Sequence, residues 1–319
     1  MNYIVFDLEW NQSPGGKKYS NSRLPFEIIE IGAVKMNEQR EVVDVFQRLV
    51  KPQVYNWIHD SIHEVIHVDY KDLADGEPFQ QAVREFLKWC GEEYVFCTWG
   101  NQDVMELQRN MKYYGMLSLL PGPVTYYDVQ KIYGICHEEA GGRRSLEFAI
   151  DQMGIPKAQD FHRALTDARY TGDIFKTLEP AAVCVNSSID VYQNPKNKKE
   201  EIFISYPTYD QYVSREFADK EKVMKDREVA STRCPVCHMP AKRRIRWFMN
   251  NSKVYYSVSL CQEHGFVLGK IRIRRTEDNM YYVIKKLTNV TDEEADEIRQ
   301  KRDAHRAKRR LKKEEQPSQ

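Results

Sequence analysis

The first residues that could do chemistry in this 319-residue chain are Asp7 and Glu9, at the end of the apolar run YIVFDLE. In a strand, residues i and i+2 point to the same face, so the two carboxylates are expected to converge. Adjacent carboxylates repel each other unless a cation neutralises them, so the pair is typical of a metal site. The alternative is an exposed strand end without a ligand.

Two further motifs carry acids and a histidine. Asp103 lies in GNQDVMELQRN, directly after the apolar segment YVFCTW, where a helix is expected to begin. It is a candidate metal ligand, or an ordinary aspartate that interacts with the helix dipole. His162 and Asp167 lie in FHRALTDAR, ahead of an amphipathic helix. They are a candidate general base and a candidate ligand; a capping or core histidine is the alternative.

Alternating and helical hydrophobic patterns predict the elements that must position these residues. Strands are expected at residues 3–7, 28–36, 42–49 and 94–99, and helices at residues 79–90, 145–153 and 163–178. The first 180 residues therefore have the pattern of an α/β domain in which strands are followed by helices.

The order of the motifs resembles the DnaQ-like, DEDDh superfamily of 3′-to-5′ exonucleases over residues 1–180. All five signature positions are present, and the flanks EIIEIGAV, EFLKW and SLEFAIDQMGI support the likeness. The chain looks most similar to the branch of exoribonucleases linked to RNA interference and its bacterial sporulation-type relatives. The resemblance implies a ribonuclease H-like mixed sheet flanked by helices.

The same resemblance implies a metal-dependent hydrolase that uses two Mg²⁺ or Mn²⁺ ions. Asp7 would bridge the ions, Glu9 and Asp167 would complete one coordination shell, and Asp103 would support the other ion through water. His162 would deprotonate the attacking water.

Two tryptophans near the motifs are predicted to contact substrate. Trp10 follows Glu9 at a position where proofreading relatives commonly carry Thr, and Trp99 precedes the second motif. Stacking on a nucleobase is the functional interpretation, and half-buried packing is the alternative.

A competing motif spans residues 63–67, which match the H-E-x-x-H pattern of zinc metalloproteases. On a helix, His63 and His67 would bind zinc with Glu64 as the base, and His59 would extend the stripe. The following DYKDLADGEP contains turn formers that leave little helix for a protease site. A surface role for this segment is the simpler interpretation.

The C-terminal region carries the spacing of a structural zinc site. The pairs Cys234–Cys237 and Cys261–His264 are separated by 23 residues and would supply four ligands to one Zn²⁺. His238 is an alternative fourth ligand, and a redox-active C-x-x-C pair is an alternative function. The pattern predicts a small zinc-ribbon domain over residues 231–287.

A basic, aromatic segment between the two pairs is a candidate nucleic-acid interface. The residues predicted to contact substrate there are Arg243, Arg244 and Trp247, with Lys242 and Arg246 beside them. Lysine and arginine would contact phosphates while the indole stacks on a base. A structural module with a basic surface is the alternative.

Charge and composition suggest distinct regions. Residues 231–319 contain 21 Lys and Arg against 11 Asp and Glu, a net charge of +10, and residues 1–230 have a net charge of −9. We expect an exonuclease domain (1–180), a linker and helix (181–230), the zinc ribbon (231–287) and a charged helical or disordered tail (288–319). The scattered cysteines favour a reducing compartment, and the lack of an apolar run that could span a bilayer favours a cytoplasmic protein.

These patterns together predict a 3′-to-5′ exonuclease acting on single-stranded nucleic acid, RNA in preference to DNA, with no membrane partner. A non-catalytic nucleic-acid-binding adaptor is the second hypothesis, and the H-E-x-x-H protease is the third.

Overall fold

The computed structural model of the chain describes residues 1–57, 70–137, 143–157, 162–250 and 254–314. At positions 17, 70 and 308–314 it describes the backbone only. The chain divides into two compact units, Met1–Gln193 and Asn194–Gln319. Among the helices in these ranges, none is both long and apolar enough to cross a membrane.

Six strands form the sheet of the first unit. They are β1 (Asn2–Gln12), β2 (Phe26–Met36), β3 (Val42–Leu49), β4 (Tyr94–Thr98), β5 (Val124–Asp128) and β6 (Ser188–Asp190). Their spatial order is β3-β2-β1-β4-β5-β6. Strand β1 pairs antiparallel with β2 and parallel with β4. The sheet is therefore mixed, as the resemblance to the DEDDh superfamily implies.

Helices cover both faces of this sheet. The described helices of the first unit are α1 (Tyr70–Ala74), α2 (Phe79–Cys90), α3 (Gln102–Tyr113), α4 (Val129–Cys136), α5 (Leu146–Gln152), α6 (Ala164–Thr177) and α7 (Pro180–Val185). Apolar residues of α2 and α3 pack on one face of the sheet. Those of α4, α5, α6 and α7 pack on the other.

The alternation along β1 decides which side chains reach each layer. Ile4 and Phe6 are fully buried in the α2/α3 layer. Val5 is buried on the opposite face, against the layer that contains α6. Since side chains alternate with a period of two, Asp7 and Glu9 share the face of Val5 and lie under α6.

Gly32 allows α6 to come very close to the sheet. It is directly opposite Asp7 in the β1–β2 pair. A Cβ atom at this position would lie 2.0 Å from the backbone nitrogen of Leu165 and 2.2 Å from the carbonyl carbon of Ala164. Because Gly32 has no side chain, the first turn of α6 can pack directly on the backbone of β2 beside Asp7.

Six antiparallel strands build the second unit. They are β7 (Ile202–Tyr206), β8 (Tyr209–Val213), β9 (Lys242–Met249), β10 (Val254–Cys261), β11 (Gly265–Arg275) and β12 (Tyr281–Val290). They lie in the order β7-β8-β12-β11-β10-β9. The described helices of this unit are α8 (Lys220–Val223), α9 (Arg227–Ala230) and α10 (Asp292–Glu314).

Each face of the second sheet has its own apolar cluster. On one face, Val223 of α8 and Val229 of α9 pack with Ile271 and Val283. On the other, Ala295 and Ile298 of α10 pack with residues of three strands, namely Ile245, Val258 and Leu268.

Residues 181–230 differ from the expected linker and helix. Helix α7 and strand β6 belong to the first unit, while β7 and β8 join the second sheet through pairing of β8 with β12. The cysteine-bearing segment consequently belongs to a larger sheet than the small ribbon expected over residues 231–287. Strands β7 and β8 bury only a few side chains, such as Tyr206, Tyr212 and Val213. Their backbone polar groups are satisfied by pairing, so these strands form without a long apolar sequence.

Candidate active site

Three carboxylates converge between the sheet and α6. Asp7 and Glu9 project from β1, and Asp167 projects from the first turn of α6. Each offers an oxygen atom, and these atoms all lie within 4.8 Å of one another. The close contact at Gly32 brings Asp167, which is distant in sequence, to the strand that carries the other two.

The donor set suits a hard divalent cation. Oδ1 of Asp167 is buried and has no hydrogen-bond partner in the described part of the chain. Its Oδ2 accepts a hydrogen bond from the backbone amide of His162, at 3.2 Å. A buried carboxylate oxygen without a donor is costly, and a cation would satisfy it. Oxygen-only ligation favours Mg²⁺ or Mn²⁺.

Electrostatics within the cluster favour a positive ligand. Burial, followed by the charges of Asp167 and Glu30, raises the pKa of Glu9 to about 8. Burial and the neighbouring carboxylates, Asp103 first, raise the pKa of Asp7 well above its usual range. Burial also raises the pKa of Asp167, to about 6. The cluster therefore takes up protons unless a cation occupies it.

Asp103 lies at the start of α3, close to β1 but outside this group of three. Its side chain is buried, and Oδ1 accepts a hydrogen bond from the backbone amide of Leu8, at 3.3 Å. Burial raises the pKa of Asp103 to about 7, although the Leu8 amide opposes the shift. The support of a metal ion by Asp103 through water stays a prediction.

The backbone at His162 adopts a left-handed conformation, with φ of +67°. A non-glycine residue in this region is uncommon and requires support from its surroundings. The amide of His162 is fixed by Asp167, and its side chain is exposed. The histidine is therefore presented to solvent at the N-terminal end of α6, beside the carboxylates.

An ion pair between a half-buried arginine and a buried glutamate, not predicted from the sequence, holds the residue after His162. Nε and Nη2 of Arg163 each donate to an oxygen of Glu30, both at 3.1 Å. Nε2 of Gln47 also donates to Glu30, at 2.7 Å. Glu30 is 1% exposed and is directly opposite Glu9. The signal available in the sequence was an acid inside the apolar run EIIEIGAV, at the spacing that faces the site.

Both predicted stacking tryptophans take part in packing. Trp10 is partly buried against the α2/α3 layer, and its ring centroid is 5.9 Å from that of Phe26. Trp99 is partly buried in the other layer, and its Nε1 donates to the carbonyl oxygen of Arg144, at 3.2 Å. The geometry agrees with the packing alternative for both indoles.

A third tryptophan is more exposed than either of these. The side chain of Trp57 is 65% exposed. Its carbonyl oxygen accepts a hydrogen bond of 2.8 Å from Nδ2 of Asn11, which lies at the end of β1 two residues beyond Glu9. The sequence carried no signal for this position, because Trp57 lies in a segment without strand or helix periodicity.

The H-E-x-x-H segment lies outside the described residues, so the structure adds nothing about His59, His63, Glu64 or His67.

The second unit brings together a different set of ligands. Cys234, Cys237, Cys261 and His264 each offer one ligand atom, all within 4.8 Å of one another. The Sγ atoms of Cys237 and Cys261 are 3.6 Å apart, and Nδ1 of His264 is 3.7 Å from Sγ of Cys261. Tetrahedral zinc with Zn–S bonds of about 2.3 Å requires S···S separations of about 3.8 Å. The spacing fits one zinc ion.

His238, the alternative fourth ligand, lies elsewhere. Its Nδ1 atom is 3.5 Å from Oδ2 of Asp210. Amide donors of Glu263 first, and then the side chain and amide of His264, lower the pKa of Cys261 to about 6. A thiol that ionises this readily is suited to metal ligation. The geometry favours His264 as the fourth ligand.

The predicted nucleic-acid contacts on β9 are not grouped on one open surface. Nε1 of Trp247 donates to the carbonyl oxygen of Ala230, at 3.0 Å, and the ring is partly buried against the α8/α9 layer. Nη2 of Arg243 donates to the same carbonyl oxygen, at 2.8 Å. Arg244 is exposed. A Cβ atom at Gly269 would lie 2.5 Å from the indole, so Trp247 fills the space over this glycine.

Comparisons with known proteins are consistent with this site. The RNase_T family, described as an exonuclease family, matches residues 4–175. This range contains all five carboxylate and histidine positions. No curated protein sequence gives a significant match to the chain.

One solved nuclease structure shares the fold of the first unit, and two others align with lower TM-scores. The nuclease domain of 3′hExo, a DEDDh family member bound to rAMP, aligns with a TM-score of 0.50 and 17% identity, over 59% of this chain and 96% of that domain. Cell-death related nuclease 4 (CRN-4) aligns with a TM-score of 0.46 and 16% identity, over 62% and 73% of the two chains. The Escherichia coli ExoI–ssDNA complex aligns with a TM-score of 0.46 and 14% identity, over 57% and 42%.

Proposed function

Because the chain belongs to the RNase_T family of exonucleases, we propose that its carboxylate site binds two divalent ions and removes nucleotides from the 3′ end of single-stranded nucleic acid. One observation carries this proposal. Asp7, Glu9 and Asp167 place their oxygens within 4.8 Å of one another, and one oxygen of Asp167 is buried without a partner. Such a group is electrostatically unfavourable until cations bind it.

The role proposed for each residue follows from its position in the site. Asp7 is affected by the charge of Asp103 as well as by those of Glu9 and Asp167, so it is suited to bridge two ions, and Asp103 is suited to hold water on one of them. When bound, the ions stabilise the attacking and leaving oxygens of the phosphodiester. The exposed imidazole of His162 takes the proton from the attacking water. The Glu30–Arg163 pair holds the backbone next to that imidazole.

Within this activity we assign RNA as the preferred substrate. Within the superfamily the chain resembles the exoribonuclease branch, and the second unit carries a net charge of +10, which favours a polyanionic strand. The 3′hExo domain, which shares the fold, is described as bound to rAMP, a ribonucleotide.

Labelled oligonucleotides test activity, direction and sugar preference together. Single-stranded RNA and DNA of one sequence, labelled at the 5′ or 3′ end, would be incubated with Mg²⁺, Mn²⁺ or EDTA. We expect 5′-labelled RNA to shorten one nucleotide at a time, faster than DNA, and only with a divalent ion. Asp7→Asn should remove nearly all activity, while Asp173→Asn, on the exposed side of α6, serves as a matched control. Full activity of Asp7→Asn, or shortening from the 5′ end, would contradict the proposal.

For the cysteine cluster we propose one structural Zn²⁺ held by Cys234, Cys237, Cys261 and His264. When bound, zinc ties the segment before β9 to the end of β10. Elemental analysis of the purified protein should find one zinc per chain. Cys261→Ser should lose it, and Cys184→Ser, an exposed cysteine of the first unit, should retain it. Equal zinc content in both variants would argue against this ligand set.

A further inference from the structure

Four cationic side chains lie together on one face of the second sheet. Lys270, Arg272 and Arg274 alternate along β11 and therefore point to the same side. Lys286 of β12 is directly opposite Lys270. Directly opposite residues in an antiparallel pair share a face, so all four cations form one group. Each of them is exposed. We call these four residues the β11/β12 basic group.

No carboxylate of the described residues lies within ion-pair distance of the four cations in the basic group. Lys286 instead lies with its Nζ atom 3.5 Å from the centroid of the Tyr209 ring. Partial burial of the exposed Lys286 side chain, and then the charge of Lys270, lower the pKa of Lys286. Like charges left next to one another favour the binding of an anion.

Aromatic side chains alternate with these cations on the same face. Tyr256 of β10 is directly opposite Lys270, and Phe248 of β9 is directly opposite Tyr256. Tyr282 of β12 is opposite Arg274. All three rings are partly exposed. Cations interleaved with partly exposed rings are the combination that binds single strands without regard to sequence.

This face is distinct from the side where the predicted β9 contacts lie. Gly269 and Ser257, which border the Trp247 ring, alternate with Lys270 and Tyr256 and so point to the opposite side. Arg243 is paired with Ser259, which is also on that opposite side. The basic segment identified in the sequence and the β11/β12 basic group are therefore on different faces.

We propose that the β11/β12 basic group and its neighbouring rings are the binding surface for the backbone of a single-stranded nucleic acid. This inference rests on the proposed function and adds a second contact surface to it. Cations two residues apart along a strand are separated by about 6.8 Å, which suits successive phosphates of an extended chain. Lys286 adds a fourth contact across the sheet.

The salt dependence of binding tests the number of phosphates held. For single strands, the slope of log K against log salt is about −0.7 for each phosphate contact, so four contacts predict about −2.8. Lys270→Gln with Arg272→Gln should reduce the slope to about −1.4. If the affinity extrapolated to 1 M salt is unchanged, this difference in slope makes binding at about 0.1 M salt about 25-fold weaker.

Fluorescence anisotropy of a labelled 20-nucleotide RNA would measure this, in the Asp7→Asn background so that the strand is not degraded. Arg275→Gln removes an exposed positive charge from the opposite face of the same strand and is the matched control, with an affinity expected within twofold of the parent. Circular dichroism would confirm that each variant is folded. An unchanged affinity and slope in the Lys270→Gln/Arg272→Gln variant would overturn the proposal. Equally tight binding of polyglutamate with the same charge would overturn the assignment to nucleic acid.

Hydrolysis of a dinucleotide separates this proposal from the proposed function, because a dinucleotide has too few phosphates to occupy four cations. With Asp7 restored, the Lys270→Gln/Arg272→Gln variant should hydrolyse it at the parental rate, and only Asp7→Asn should abolish the reaction. Persistent hydrolysis in Asp7→Asn would contradict the proposed function, whereas a parental RNA affinity in the double variant would contradict the binding surface.

Discussion

Replacing Gly32 by alanine is expected to push α6 away from the sheet and to impair the metal site. The new Cβ atom would lie 2.0, 2.2 and 2.5 Å from three backbone atoms of Ala164 and Leu165. Carbon atoms in contact prefer separations of about 3.5 Å or more, so a gap of about 1.5 Å must open. A backbone clash cannot be relieved by rotating a side chain. The helix, or the strand beneath it, must therefore move.

The movement acts directly on the candidate site. Asp167 lies in the first turn of α6, and Asp7 is directly opposite Gly32 in the sheet. Two oxygens on one Mg²⁺, each at about 2.1 Å, can be at most about 4.2 Å apart. Widening a group that spans up to 4.8 Å by a further 1.5 Å prevents shared coordination. A misplacement of about 1 Å can lower a rate about 100-fold, and overpacking costs about 1–3 kcal/mol of stability.

Single-turnover hydrolysis of 5′-labelled RNA across a Mg²⁺ titration would measure the effect, with thermal unfolding followed by circular dichroism. We expect the rate at saturating Mg²⁺ to fall about 100-fold and the Mg²⁺ requirement to rise. Gly134→Ala is the control, because a Cβ atom there has open space in helix α4, and it should leave the rate unchanged while adding up to about 1 kcal/mol of stability. A folded Gly32→Ala variant with parental rate and Mg²⁺ requirement would refute this account of how α6 is positioned.

Three other predictions concern the same two units. Because the pKa of Glu9 is raised to about 8, the folded metal-free protein holds more protons than the unfolded chain between about pH 4.5 and 8. The melting temperature in EDTA should therefore fall as pH rises through this window, and the increase in melting temperature on adding Mg²⁺ should become larger. A melting temperature in EDTA that does not change with pH would contradict the raised pKa of Glu9. Arg163→Gln should lower the hydrolysis rate about 10-fold with little change in substrate KM and have no further effect in a His162→Ala background; an equal loss in both backgrounds would mean that the arginine does not act through His162. Gly269→Ala should displace the Trp247 ring, destabilise the protein by about 1–3 kcal/mol and shift tryptophan emission, and unaltered emission and melting temperature would argue against that packing.

The sequence predicted the elements with strong periodicity. Residues 28–36 and 42–49 were assigned as strands, and they lie within β2 and coincide with β3. The predicted helix at residues 79–90 coincides with α2. In each of these segments apolar side chains recur with one clear period, because one face of the element packs on a core.

The structure added what depends on contacts distant in sequence. The segments β5 and β6 are short, and β5 pairs with β4 while β6 pairs with β5, so neither carries a local pattern strong enough for assignment. The partnership of Arg163 with Glu30 joins residues 133 positions apart. The choice between His238 and His264 likewise depended on how the chain folds after Cys237, because both histidines have acceptable spacing in the sequence.

The packing of β1 also limits which changes in chain length the protein can tolerate. Ile4, Phe6 and Leu8 fill one layer of the core, while Asp7 and Glu9 face the other side of the strand. Deleting a single residue between Val5 and Asp7 would reverse the sides for everything that follows, placing two carboxylates among hydrocarbon and a leucine beside the cations. Deleting two residues would preserve the sides and shift the carboxylates along the strand. We therefore expect the protein to tolerate an insertion or deletion before β1 begins, but not the insertion or deletion of a single residue within β1.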